Sequence, residues 1–172
     1  MRSLRIDLVR VALALLALLS SSVGVGHSGQ GLSAAPEFEF VRLAGEVVNN
    51  TTVRGRPVLL VFWAPWCNVC RKELPEIASF YRQDKPEQLR VISIGFADLR
   101  ENVVAFVKAR PEVFLFPTAY DEDRWIAQVF KVRATPTYVA LDQQGHIAMA
   151  HFGAGLLQDD RFRAFLSGLK KS

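Results

Sequence analysis

Cysteine and histidine are scarce in this chain: two and three, respectively, among 172 residues. Two cysteines cannot build a disulfide scaffold, and Cys67 and Cys70, three positions apart, close no loop worth stabilising. A structural staple is therefore a poor reading of the pair. A closed zinc site wants four ligands, and His27, His146 and His151 are badly placed to complete one. His27 falls in the N-terminal stretch, while His146 and His151 stand five apart, which on a regular strand sends them to opposite faces. Surface histidines flanking a strand are the simpler reading, and no metal or cofactor is expected. Basic runs interleaved with aromatic residues are also missing, and Lys170-Lys171 is a charged chain end, so nothing calls for nucleic acid. No internal repeat occurs. Half the residues are hydrophobic, which excludes disorder and allows one domain with a real core.

The formal charge of +4 is modest, and residues 1–26 carry +2 of it. There Arg2, Arg5 and Arg10 precede the apolar run Val11 to Leu19, and small residues follow from Ser20 to Gly26. This stretch reads as an export segment in one of two forms, a cleaved signal peptide or an N-terminal membrane anchor. An anchor needs about 20 mostly apolar residues, and the serines and glycines weaken that form. Either way the remainder is delivered across the membrane, to the periplasm or the outer face of the cytoplasmic membrane, where disulfides form and persist. Residues 27–36 read as a linker and 37–172 as the domain. Gly24, Gly26 and Gly29 match a dinucleotide-binding spacing, yet no strand precedes them and no amphipathic helix follows.

Within the domain the chain is organised around Val58 to Ile77. The short apolar run from Val58 to Phe62, bounded by Pro57 and Ala64-Pro65, predicts a buried strand. From Cys67 the spacing turns helical, with Cys70, Leu74 and Ile77 at steps of three and four, and this helix is expected to reach about Tyr81 with a kink at Pro75. Upstream, Phe38 to Val48 reads as a hairpin and 49–56 as a polar loop. Downstream come a strand over 90–96, a helix over 98–110 capped by Asp98, a short strand over 116–120 and a short helix over 122–129. A strand over 137–141, a last strand over 147–152 and a closing helix over 159–169 complete the series. Trp63 and Trp125 are expected in the core. The alternation predicts a three-layer α/β domain with a mixed sheet.

Cys67 thus sits at a helix N-terminus, where unpaired N–H groups and the positive end of the helix dipole favour a thiolate. A Cys-x-x-Cys at the first strand-to-helix junction of such a pattern signals redox chemistry. Glu73 lies one helical step beyond Cys70 on the same face. On spacing alone it is equally an exposed glutamate paired with Arg71 or Lys72.

The segment Phe62-Trp63-Ala64-Pro65-Trp66-Cys67-Asn68-Val69-Cys70, followed by Pro75 and by Thr135-Pro136-Thr137, resembles thioredoxin. Glu73, the N-terminal hairpin, the strand-helix segment between Phe96 and Trp125 and the export segment are more similar to TlpA/ResA/DsbE-type thiol-disulfide oxidoreductases. The resemblance spans about 36–169. It implies a thioredoxin-like sandwich with a central strand-helix insertion, a redox-active Cys67-Cys70 disulfide and a monomer. Cys67 would attack a client disulfide, Cys70 would resolve the mixed disulfide, and Glu73 would take the Cys70 proton. Pro136 would be cis, and Thr135, Pro136, Pro65 and Trp66 would meet the client. One departure is that thioredoxin keeps a buried carboxylate where this chain has Val61. The resemblance further implies reduction of exported clients, such as apocytochrome c, with electrons from a membrane thiol donor. A Cu(I)-binding metallochaperone and a non-catalytic binding module on the same fold are the alternatives.

Overall fold

The computed structural model of the protein describes residues 33–170. The export segment, the glycines at 24, 26 and 29, and His27 lie outside the described residues. Among the described residues no helix is long and apolar enough to cross a membrane.

The strands are β1 (Ser33–Ala34), β2 (Glu39–Val41), β3 (Val47–Asn49), β4 (Val58–Trp63), β5 (Arg90–Gly95), β6 (Thr118–Tyr120), β7 (Thr137–Leu141) and β8 (His146–Phe152). The helices are α1 (Asn68–Gln83), α2 (Arg100–Lys108), α3 (Trp125–Val129) and α4 (Asp160–Leu169), with short 3-10 turns at Glu122–Arg124 and Leu156–Gln158. Six strands form one sheet in the order β1-β8-β7-β4-β5-β6, and β2 and β3 pair separately. Strands β4, β5 and β6 run parallel, while β7 opposes β4, β8 opposes β7 and β1 opposes β8.

Strand β4 is buried at every position, as an aliphatic and aromatic run covered on both faces must be. Its alternation divides the core in two. Leu59, Val61 and Trp63 pack with Leu74 and Ile77 of α1, Val103 and Phe106 of α2, and Phe162 and Leu169 of α4. Val58, Leu60 and Phe62 face the other way, against Phe38, Phe40 and Val48 of the hairpin and Ile126 and Ala127 of α3. Helices, sheet, then hairpin plus helix make the three layers of an α/β sandwich.

The parallel register places Trp63, Gly95 and Tyr120 at one edge of the sheet, and Cys67 follows directly beyond Trp63. The antiparallel pairings Phe62 with Thr137 and Thr137 with Phe152 bring the start of β7 and the end of β8 to that same edge. Topology thus gathers 63–73, 134–137 and 152–155 from distant parts of the chain.

Several local expectations are revised. Ser33-Ala34, within the stretch read as linker, adds an edge strand to β8, with Ser33 opposite Ile147 and Ala34 opposite His146. Asp98 does not cap α2 as its N-cap residue; that position is Leu99, and Asp98 instead accepts from the Leu99 N–H and the Asn102 side-chain amide, both at 2.7 Å. Trp125 is 57% exposed and not core, because it opens the short α3 while Ile126 and Ala127 turn inward. The strict parity applied to His146 and His151 fails too. A bulge between Leu141 and Ala140 of the β7–β8 ladder pairs them with Ile147 and Met149, breaking the alternation of β8. His146 lies 3.4 Å from Asp142, and His151 is engaged elsewhere.

Candidate active site

Ala64-Pro65 ends β4, and the Cys67 N–H reaches back to the Ala64 carbonyl at 3.1 Å, which turns the chain sharply into α1. Cys67 is the N-cap residue itself, in extended backbone geometry, and its sulfur accepts the Cys70 N–H at 3.0 Å. No acidic residue stands in the first turn of α1 to compete with an anionic sulfur. Cys67 and Cys70 are joined in a disulfide, with their Cα atoms 5.2 Å apart. Cys67 retains 4% of its surface and Cys70 none, so Cys67 is the less enclosed of the two. Cys67 is nonetheless less open than a helix end suggests, because Thr135 closes over it: the Thr135 carbonyl lies 3.5 Å from the Cys67 sulfur.

The Thr135–Pro136 peptide bond is cis. Pro136 is buried at the start of β7, its carbonyl accepting from the Gly153 N–H at 2.9 Å, and the Thr137 hydroxyl donates to the Ala134 carbonyl at 2.7 Å. Pro65 is buried as well, and both the Nε and Nη2 of Arg71 donate to its carbonyl, at 3.1 and 2.9 Å. Trp66 stands out, 57% exposed, with its indole N–H bonded to the Ala97 carbonyl at 2.9 Å. Sequence reasoning missed two further exposed apolar side chains here, Val69 and Phe152. Val69 could have been noted as the apolar residue between the cysteines; Phe152 reaches this edge only through the β7–β8 register.

Glu73 is not the exposed glutamate of the simpler reading. It is buried, and Oε2 accepts from the Gly155 backbone N–H at 2.9 Å and from the Tyr138 hydroxyl at 3.4 Å. Arg71 is committed to Pro65, leaving Glu73 without a lysine or arginine within ion-pair reach among the described residues. Val61 lies in the same core cluster as Cys67, Cys70 and Tyr138, and among the described residues Glu73 is the buried carboxylate bonded to that Tyr138. Burial, reinforced by the charge of Glu73, pushes the Tyr138 hydroxyl far above its usual range, so it remains a donor. A buried tyrosine in a strand needs a hydroxyl partner, and that much was readable; which partner was not. The other buried carboxylate, Asp121, serves the fold: its two oxygens accept from Ile126 and Ala127 N–H, both at 2.8 Å, at the start of α3.

Comparison with known proteins points the same way. The chain is similar to the thiol-disulfide oxidoreductase ResA of Bacillus subtilis, 27% identical over 115 residues that cover 67% of this chain and 63% of that protein. Similarity to the sporulation thiol-disulfide oxidoreductase A of Bacillus subtilis is 25% identity over 150 residues, covering 85% and 89%. Among solved structures, MTB dsbF matches with a TM-score of 0.67 at 25% identity, covering 80% of this chain and 98% of that one. Bacillus subtilis StoA matches with a TM-score of 0.62 at 25% identity, covering 72% and 92%. The relatives are thiol-disulfide oxidoreductases, and this chain carries the thioredoxin-like fold with its Cys-x-x-Cys pair closed as a disulfide. Residues 32–150 match the AhpC/TSA family, and the chain belongs to that family.

Proposed function

We propose that the protein is an exported thiol-disulfide oxidoreductase that reduces disulfides in client proteins. The observation that carries this reading is the Cys67–Cys70 disulfide at the N-terminus of α1, with Cys67 the less enclosed of the pair and the buried Glu73 carboxylate further along the same helix. In the reduced protein, the Cys67 thiolate, held by the Cys70 N–H and the helix N-terminus, attacks a client disulfide. A Cys67–client bond forms, and the first client sulfur leaves as thiolate. Cys70 then gives its proton to Glu73 and attacks the Cys67 sulfur. The Cys67–Cys70 bond closes, the second client thiolate departs, and the client has gained two electrons.

Trp66, Val69 and Phe152 supply exposed apolar surface around the sulfur, and the 134–136 segment supplies backbone beside it. This arrangement fits an extended client segment running past Cys67, with Thr135 and Pro136 lining its path and Pro65 supporting the turn beneath. Clients include exported polypeptides whose paired cysteines must be kept as thiols, such as those that attach haem in c-type cytochromes. Electrons return from a thiol donor in the membrane, and residues 1–26 direct the domain to that compartment. The protein acts as a monomer.

The decisive measurement is the equilibrium potential of the Cys67–Cys70 couple. Reference dithiols run from about −270 mV for thioredoxin to about −120 mV for a strong oxidant. A value toward the thioredoxin end is expected; one at the oxidant end reverses the direction of flow. Cys70→Ser should accumulate the mixed disulfide with its client, and Cys67→Ser should abolish exchange.

A further inference from the structure

The turn that follows β8 is clamped from within. His151, opposite Tyr138 in the β7–β8 ladder, places Nδ1 2.8 Å from Asp159 Oδ2 and Nε2 2.9 Å from the Ala154 carbonyl. Both neighbours are acceptors, so only the doubly protonated ring donates to both. The Ala154 carbonyl belongs to the peptide group whose N–H, that of Gly155, meets Glu73 Oε2 at 2.9 Å. Gly155 itself has φ of +85°, a left-handed conformation that aims this N–H inward and that a side chain disfavours. One imidazole therefore holds the oxygen end of the peptide unit whose nitrogen end holds the carboxylate.

We propose that His151 is a positioning residue for Glu73: it fixes the Gly153–Gly155 turn so that the Gly155 N–H stays on the carboxylate beside Cys70. This rests on the reading of Glu73 as the base of the resolving step. Other groups face the same carboxylate or its holders. They are the Tyr138 hydroxyl from β7, Glu76, whose charge reaches Tyr138, and the His151 ring, centred 5.9 Å from the Tyr138 ring, while Cys70 precedes Glu73 by three residues on the same helix face. The Gly155 N–H stabilises negative charge on Oε2, so releasing the turn removes that stabilisation and the resolving step needs a higher pH. The step served is unchanged: the Cys70 proton passes to Glu73, the Cys70–Cys67 bond forms, and the bond from Cys67 to the client breaks as its thiolate leaves.

The test follows resolution of a mixed disulfide between Cys67 and glutathione by stopped flow across pH in the full-length protein. His151→Ala should move the pH midpoint of resolution upward and slow the step about five- to tenfold at neutral pH, while alkylation of Cys67 in the reduced protein changes less than about twofold. His151→Asn keeps a donor at the Nδ1 position, and so the tie to Asp159, but cannot reach Ala154; it should behave like His151→Ala even if the alanine variant folds poorly. His151→Gln, with its amide at the Nε2 position, should restore the profile. In combination with Glu73→Gln, His151→Asn should add nothing. If Glu73→Gln shifts the profile and His151→Asn does not, or if their effects add, the positioning role is overturned. If Glu73→Gln leaves the profile unchanged, it is the base assignment that falls.

Discussion

Glu73 shows how a residue's role turns on its surroundings. In sequence it is a helix glutamate next to Arg71 and Lys72; in the fold it is buried and held by Gly155 and Tyr138. Replacing it with glutamine keeps the shape and removes the carboxylate proposed as the proton acceptor. Glu73→Gln should slow release of the client from the mixed disulfide by about 10²-fold and flatten its pH dependence, with the first attack by Cys67 little changed, measured by quenched-flow trapping. Asp159 carries a different titration. The Arg161 guanidinium first, and His151 second, hold its carboxyl well below the usual carboxylate range. A carboxyl depressed in the folded state adds stability that is full above the ordinary value of about 4 and fades as pH falls through the depressed one. Asp159→Asn should therefore lower denaturant resistance at pH 7, and the gap from the parent should narrow as the pH is brought below about 4. A gap that is constant with pH would mean that the charge of Asp159 contributes nothing.

Elements impose their own constraints. Gly95 ends β5 beside Trp63, and a Cβ added there would meet Val103 Cγ1 at 2.5 Å and Trp63 Cζ2 at 3.1 Å. Neither neighbour yields readily, since a valine methyl on α2 and a fully buried indole have few places to go. Gly95→Ala should cost about 1–3 kcal/mol in chemical denaturation, with Val103→Ala partly rescuing it. The short α3 depends on Asp121, whose carboxylate replaces the missing intrahelical acceptors for Ile126 and Ala127. Asp121→Ala should cost about 1–2 kcal/mol. Here the pH trend is reversed: burial raises the Asp121 pKa despite those two backbone bonds, so its contribution is largest in mild acid and declines as pH rises through the raised value. Long elements of strong period were legible in sequence, β4, α1, β7 and α4 above all, because burial writes itself into spacing. Asp98 reads as a cap in sequence because Asp before a helical run is a common N-cap, and only the folded chain places Leu99 in that position. Strand β1 was unreadable: two small residues carry no period, and their pairing is decided by the open edge of β8.

At the scale of the molecule, one sheet separates two apolar clusters, and β4 contributes side chains to both. Neither layer can leave without exposing the strand between them, so the domain should unfold as one cooperative unit. Trp63 is fully buried while Trp66 and Trp125 are each 57% exposed, which makes Trp63 the main reporter of core loss in fluorescence. Fluorescence and far-UV circular dichroism should then give superimposable urea transitions; separated midpoints would mean that the hairpin layer or the helical layer comes apart first.

Sequence alone determined the sandwich, the helix-opening Cys67 with Cys70 one turn inward, and a carboxylate on the same helical face, since all of these depend on local period and on chain direction. Tertiary structure decided what surrounds them: that Glu73 is buried under Tyr138 and the Gly155 N–H, that His151 braces that turn, that Phe152 joins the exposed rim, and that Trp125 leaves the core. Those contacts join residues up to 82 positions apart. They arise from sheet register and turn geometry, which a helical or strand period cannot encode.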